Sequence, residues 1–156
     1  MRGNPTPADL RWLRDAIDLS RRCPPSPTAY NVGAVIVDAA GSAIACGYSR
    51  DTDPLVHAEE SALGRLRPDD PRLATATLYS SLEPCNERQS RLRPCADLIL
   101  AAGIPRVVIA WREPALFVAD CQGVERLREA GVTVVEIPEL ERVAKAVNGH
   151  LRGIAS

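Results

Sequence analysis

Three short stretches of this sequence carry residues suited to metal and proton chemistry. His57-Ala58-Glu59 stands where a loop turns into a helix. Pro84-Cys85 and Pro94-Cys95 follow, the second at another expected helix start. One imidazole and two thiolates make a ligand set for zinc and leave the fourth tetrahedral position for water. Zinc lowers the pKa of such a water toward neutrality. The partial positive charge at a helix N-terminus favours the thiolate form that coordination requires. Glu59 is not needed as a ligand, and a carboxylate beside the metal can take a proton from that water and deliver it to a leaving group.

Each piece also has a purely structural reading. H-x-E occurs at many solvated helix starts, and two cysteines separated by nine residues signal metal less strongly than a C-x-x-C pair. The conjunction favours the ligand set: two pieces start helices, a strand runs into Pro84-Cys85, and the chain has only two histidines. The other cysteines read as small apolar fillers, Cys46 within an expected strand and Cys23 and Cys121 near element ends. His150, near the C-terminus, reads as a surface or packing residue.

The elements that must position these groups follow from local pattern. Thr6-Pro7-Ala8-Asp9 is a helix start, with Thr6 as N-cap and Asp9 in reach of it. Leu10, Trp12, Leu13 and Ile17 give this helix an apolar face, and Pro24-Pro25 stops it. The runs 32–37 and 43–48 form a hairpin about Asp38-Ala39-Ala40-Gly41. Helices are expected over 57–66, 94–102, 122–130 and 138–147, and strands over 77–82, 106–111 and 132–137. This order predicts one mixed sheet covered by helices on both faces.

Composition bounds the class. The chain has 156 residues, 46% hydrophobic and 25% charged, which suits one globular domain. Nineteen basic residues against twenty acidic ones leave a net charge of −1, so no global pull toward nucleic acid or anionic membrane is expected. No apolar run reaches the roughly 20 residues of a membrane span. The N-terminal stretch has no apolar core of the secretory kind, so a cytoplasmic setting is expected.

The stretches VGAVIVD (32–38), HAEESAL (57–63), TLYSSLEPC (77–85) and PCADLILAAGIPRVVIA (94–110) resemble, in order, the cytidine/deoxycytidylate deaminase superfamily. The resemblance implies a three-layer α/β/α sandwich with a mixed five-stranded sheet, forming a single zinc-dependent deaminase domain over residues 1–156. It implies Zn2+ held by His57, Cys85 and Cys95, with Glu59 as proton shuttle. It also implies substrate contacts from Asn31, from the backbone around Ala58 and from the strand end near Ser81.

Most branches of the superfamily keep two residues between the zinc cysteines, and this chain has nine. That spacing is similar to the deaminases of riboflavin biosynthesis. TAYNVGAVIV (28–37), GYSRDTD (47–53), the tail GVERLREAGVTVVEIPEL (123–140) and Gly149-His150 are most similar to the stand-alone, fungal-type domain. The bacterial bifunctional enzyme has Asn-Pro before Val-Gly-Ala where this chain has Ala29-Tyr30-Asn31, and its reductase domain has no counterpart here.

The implied reaction is hydrolytic deamination of a diamino pyrimidinone bearing a ribitylamino or ribosylamino 5′-phosphate. It requires neither a redox cofactor nor a nucleotide. Deamination of a cytosine nucleotide, a nucleoside or another aminated heterocycle is the alternative within the class. A non-catalytic structural zinc module is the alternative outside it, and it gives Glu59 no role beside the ligands. A nucleic-acid substrate is disfavoured by the charge balance and by the lack of an aromatic platform. Such domains commonly self-associate, so a homodimer is expected. The segment between the cysteines holds Arg88, Arg91 and Arg93 against Glu87. Arg88 from that segment, together with Arg50, is the candidate to hold a phosphate, because the guanidinium fork donates paired hydrogen bonds.

Overall fold

The computed structural model describes residues 3–85, 94–112 and 122–151. Helix α1 (Pro7–Ser20) leads into the hairpin β1 (Gly33–Val37) and β2 (Ala43–Tyr48), then α2 (Ala58–Leu63). A short 3-10 turn (Pro71–Thr75) precedes β3 (Thr77–Ser80), and α3 (Cys95–Ala102), β4 (Arg106–Ile109), α4 (Gly123–Glu129) and β5 (Thr133–Glu136) follow. A 3-10 turn (Pro138–Leu140) then opens into α5 (Glu141–Ala146). The strands lie in the order β2-β1-β3-β4-β5. β1 is antiparallel to both neighbours, while β3, β4 and β5 run parallel. This is the mixed five-stranded sheet expected from the sequence.

Two glycines assign helices to opposite faces. Residues directly opposed in an antiparallel pair share a face, and successive residues alternate. Gly33 opposes Tyr48 and Ala34 opposes Gly47, so Gly33 and Gly47 look to opposite sides. A Cβ on Gly33 would lie 1.9 Å from the Ala16 carbonyl oxygen of α1, and one on Gly47 would lie 2.6 Å from Ser61 of α2. Helix α1 therefore covers one face and α2 the other, with α3 beside α2 and α4 beside α3. Gly33→Ala forces α1 backbone away from the sheet. It is expected to cost about 1–3 kcal/mol or more, read as a lowered midpoint in thermal or urea unfolding.

The core is the sheet with the inner faces of these helices. All five residues of β1 are buried, as are Leu78, Val107, Val108, Ile109, Val134 and Val135. Leu13 and Ile17 reach them from α1, and Ile99, Val124 and Leu127 from α3 and α4. The Thr6 cap is formed as expected: Asp9 N–H donates to Thr6 Oγ1 (3.2 Å) and Thr6 N–H to Asp9 Oδ2 (2.9 Å).

Asp9 does more than cap the helix. Its buried carboxylate accepts the Tyr79 hydroxyl of β3 at 2.7 Å and both Nη atoms of Arg106 of β4, at 2.8 and 2.6 Å. Arg106 and the other contacts outweigh the opposing effect of burial and hold the carboxyl down at about 2.

Some local expectations need correction. Helix α2 ends at Leu63 with Gly64 as its cap, and the last helix opens with a 3-10 turn before α5. Cys46 is exposed and not an apolar filler, because α1 packs mainly over β1 and leaves the edge strand β2 less covered. Trp12, as expected, packs against the core, half-buried with its ring under the Arg11 guanidinium at 4.9 Å. No helix among the described residues is long and apolar enough to cross a membrane.

Candidate metal centre

The N-termini of α2 and α3 bring the chemistry-bearing residues together. His57 caps α2 in an extended conformation, and its N–H donates to Glu60 Oε1 at 3.2 Å, which fixes the backbone where the helix begins. The chain leaving β3 brings Cys85 over the start of α3. There the Cys95 N–H donates to Cys85 Sγ (3.1 Å) and the Ala96 N–H to the Cys85 carbonyl (3.0 Å). The first turn of α3 thus spends two of its free donors on Cys85. The Cys85 thiol is pushed well below its ordinary value, first by the Cys95 side chain beside it and then by His57, against the effect of burial. A thiolate is the form a metal needs.

His57 Nδ1 lies 3.7 Å from Cys85 Sγ and 3.4 Å from Cys95 Sγ. Tetrahedral zinc, with bonds of about 2.0 Å to nitrogen and about 2.3 Å to sulfur, separates such ligands by about 3.5 Å. The ligand atoms all fall within 4.8 Å of one another. Both thiols are buried and the imidazole is half-buried. Among the described residues these three ligands, one of the two sulfurs accepting a helix N–H, fit zinc.

Glu59, the second residue of α2, is 3% exposed. Burial pushes its carboxyl up to about 7; His57 pulls it down and the Cys85 sulfur pushes it up further. A bound dication would act against burial, as any nearby positive charge does. A buried carboxyl in this position can take a proton and give it back.

The residues expected to touch substrate each have defined local partners. Ala58 is fully buried at the start of α2. Ser81 is buried, and its Oγ accepts the Gly33 N–H at 3.1 Å, tying the end of β3 to β1. Asn31 is clasped to the C-terminal loop: its N–H donates to Asn148 Oδ1 (2.6 Å), its Nδ2 to the Val147 carbonyl (3.3 Å), and Asn148 Nδ2 returns a bond to the Asn31 carbonyl (3.1 Å).

Arg50, in a left-handed backbone conformation, donates from Nε and Nη2 to the Pro24 carbonyl and from Nη1 to the Tyr30 carbonyl, and also meets Asn31 Oδ1. Its guanidinium is thus spent on the 24–31 loop, which it shapes. Arg88, like Cys121, lies outside the described residues. His150 is exposed and its Nε2 lies 3.1 Å from the Ala29 carbonyl, in keeping with a surface residue.

Two residues of this region were not singled out from the sequence. Asn148 is the partner of Asn31, a pairing across 117 positions that no local pattern announces. Glu83 is buried beside the ligand loop, and its one sequence signal is a charge between the apolar Leu82 and Pro84-Cys85.

Residues 7–111 match the cytidine and deoxycytidylate deaminase zinc-binding region. The diaminohydroxyphosphoribosylamino-pyrimidine deaminase of Schizosaccharomyces pombe is 36% identical over 143 residues, covering 89% of this chain and 35% of its own length. The chain spans about a third of the length of the curated relatives it matches.

Among solved structures, Acinetobacter baumannii RibD superposes with a TM-score of 0.78 at 32% identity, covering 90% of this chain and 38% of the other. The Aspergillus oryzae Rib2 deaminase, solved in complex with DARIPP, superposes with a TM-score of 0.76 at 24% identity, covering 90% and 89%. That identity speaks to the fold, which is the α/β arrangement expected from the sequence. The match spans His57, Glu59, Cys85 and Cys95 together with β1 to β4, so the chain belongs to the cytidine and deoxycytidylate deaminase family, defined by its zinc-binding region.

Proposed function

We propose that this chain is a zinc-dependent hydrolytic deaminase of an aminopyrimidine carrying a ribosylamino or ribitylamino group with a 5′-phosphate. The observation that carries the catalytic part is Glu59, a carboxyl buried beside a set that has three ligands among the described residues. A structural zinc site closes all four positions with protein ligands and has no use for a buried acid.

Zinc held by this set would supply an acidic water and a Lewis acid. The remaining work falls to the chain. His57 and the two thiolates would hold the ion. Glu59 accepts a proton at its carboxylate and returns it to the departing amine, so that water is consumed and ammonia leaves. The burial of Glu59 excludes bulk water from that transfer.

The substrate class rests on the nine-residue spacing of the cysteines, on the name of the Schizosaccharomyces pombe relative and on the DARIPP complex of the Aspergillus oryzae protein. Asn31, Ala58 and Ser81 contribute to the substrate pocket from a loop, from the start of α2 and from the end of β3. The phosphate role falls to Arg88, since Arg50 is engaged with the 24–31 loop. The proposal includes a single domain over residues 1–156 working in the cytoplasm as a homodimer, as the resemblance to stand-alone deaminases implies.

The test is ammonia release from a panel of aminopyrimidines, each with and without its phosphate. The expected result is turnover of the phosphorylated ribosylamino or ribitylamino compound, with little on cytidine or deoxycytidylate. Arg88→Ala is expected to shrink the preference for phosphate about ten- to hundredfold in kcat/KM, the worth of one charged hydrogen bond. Equal efficiency on phosphorylated and dephosphorylated compounds contradicts the phosphate assignment. Turnover of cytosine compounds alone contradicts the substrate class.

A further inference from the structure

Glu83 is 3% exposed and stands two residues before Cys85. A buried carboxylate is costly unless its oxygens are met by donors, and an apolar side chain would fill the position at lower cost. Its surroundings account for it. Glu83 Oε2 accepts the Val124 N–H at 2.8 Å, one of the free donors in the first turn of α4. Its own N–H donates to the Trp111 carbonyl at 2.9 Å, continuing the β3–β4 pairing beyond both strands.

Helix α4 meets the same loop a second way. A Cβ on Gly123 would lie 1.9 Å from the Pro84 carbonyl oxygen, so backbone packs directly against backbone there. The stretch Glu83-Pro84-Cys85 is therefore gripped from three sides: by Trp111 after β4, by the start of α4, and by the start of α3 through the Cys85 sulfur and carbonyl.

We propose that Glu83 is a positioning residue of the metal centre, joining α4 to the ligand loop and so fixing the direction of the Cys85 thiolate. The inference rests on the reading of His57, Cys85 and Cys95 as the zinc ligands. A carboxylate that merely capped α4 would affect the stability of the fold and leave the metal site of the folded protein unchanged. A positioning carboxylate changes both, because outer partners that orient a ligand govern metal affinity by about 10–100-fold.

The test compares the wild-type chain with Glu83→Ala, Glu83→Asp and Glu83→Gln. Zinc affinity is read by competition with a chromophoric chelator, and site geometry by the visible absorption of the cobalt-substituted protein. Glu83→Gln keeps an acceptor oxygen at the same reach, so its zinc affinity and cobalt spectrum are expected to stay close to wild type. Glu83→Asp keeps the charge but draws the oxygens back by one methylene. It is expected to lose at least about tenfold in zinc affinity and to shift the cobalt bands, as is Glu83→Ala.

Wild-type affinity and an unshifted cobalt spectrum in Glu83→Asp overturn the proposal, whether or not Glu83→Ala folds. A wild-type chain that takes up neither zinc nor cobalt overturns the ligand assignment on which the proposal rests, and is distinguished by needing no variant at all.

Discussion

Replacing Glu59 by Gln is expected to lower turnover by about a hundredfold or more, with zinc content and fold retained. The substitution keeps the size and polarity of the side chain and removes its ability to exchange a proton. The loss corresponds to about 2.7 kcal/mol or more of transition-state stabilisation. Stability should not fall, because Glu59 is buried and a neutral amide costs less to bury than a carboxylate. The measurements are kcat for ammonia release, metal content and the unfolding midpoint of the same preparation. A kcat within twofold of wild type would show that another group moves the proton and would return Glu59 to an ordinary helix-start residue.

The largest effect on stability is expected at Asp9, far from the chemistry. Its carboxylate binds the N-cap of α1, the Tyr79 hydroxyl and the Arg106 guanidinium, so one side chain joins a helix start to two neighbouring strands. Removing one partner of a buried ion pair strands the other, and Asp9→Ala should cost about 3–5 kcal/mol. For a domain of this length that is a fall in Tm on the order of 10 °C.

The same network sets a dependence on acid. The folded carboxyl titrates at about 2, below its ordinary 3.8. Its contribution is therefore full above about pH 4 and is lost as pH falls from there through about 2. Urea unfolding of the wild-type chain should weaken across that window, and Asp9→Asn should be less stable above it and flatter within it. Parallel curves for the two proteins would contradict the assignment.

The cluster of His57, Cys85 and Cys95, with Glu59 beside it, was legible in the sequence because metal chemistry demands particular residue types near particular helix starts. His57 and Cys95 begin α2 and α3, and Cys85 follows β3, so local pattern sufficed to find them. The sheet was legible for a related reason: β1 is a continuous apolar run, as a central strand should be.

What stayed hidden depends on contacts distant in sequence. Asp9 was visible as a cap, yet its bonds to Tyr79 and Arg106 span 70 and 97 positions. Arg50 carried the right charge for a phosphate, and only the fold reveals the carbonyls of Pro24 and Tyr30 that engage it. Cys46 was misassigned because apolar pattern finds a strand without saying which strand lies at the edge. Glu83 sits among apolar neighbours, and the reason for its charge is the start of α4, some 40 residues away.

The central claim is that His57, Cys85 and Cys95 form a zinc centre. Elemental analysis of the reduced, unchelated protein tests it most directly. The expected content is about one zinc per chain in the wild type, the number one three-ligand site allows, and a marked loss in Cys85→Ser. A wild-type chain without zinc, or a Cys85→Ser chain that keeps its full content, would contradict the account.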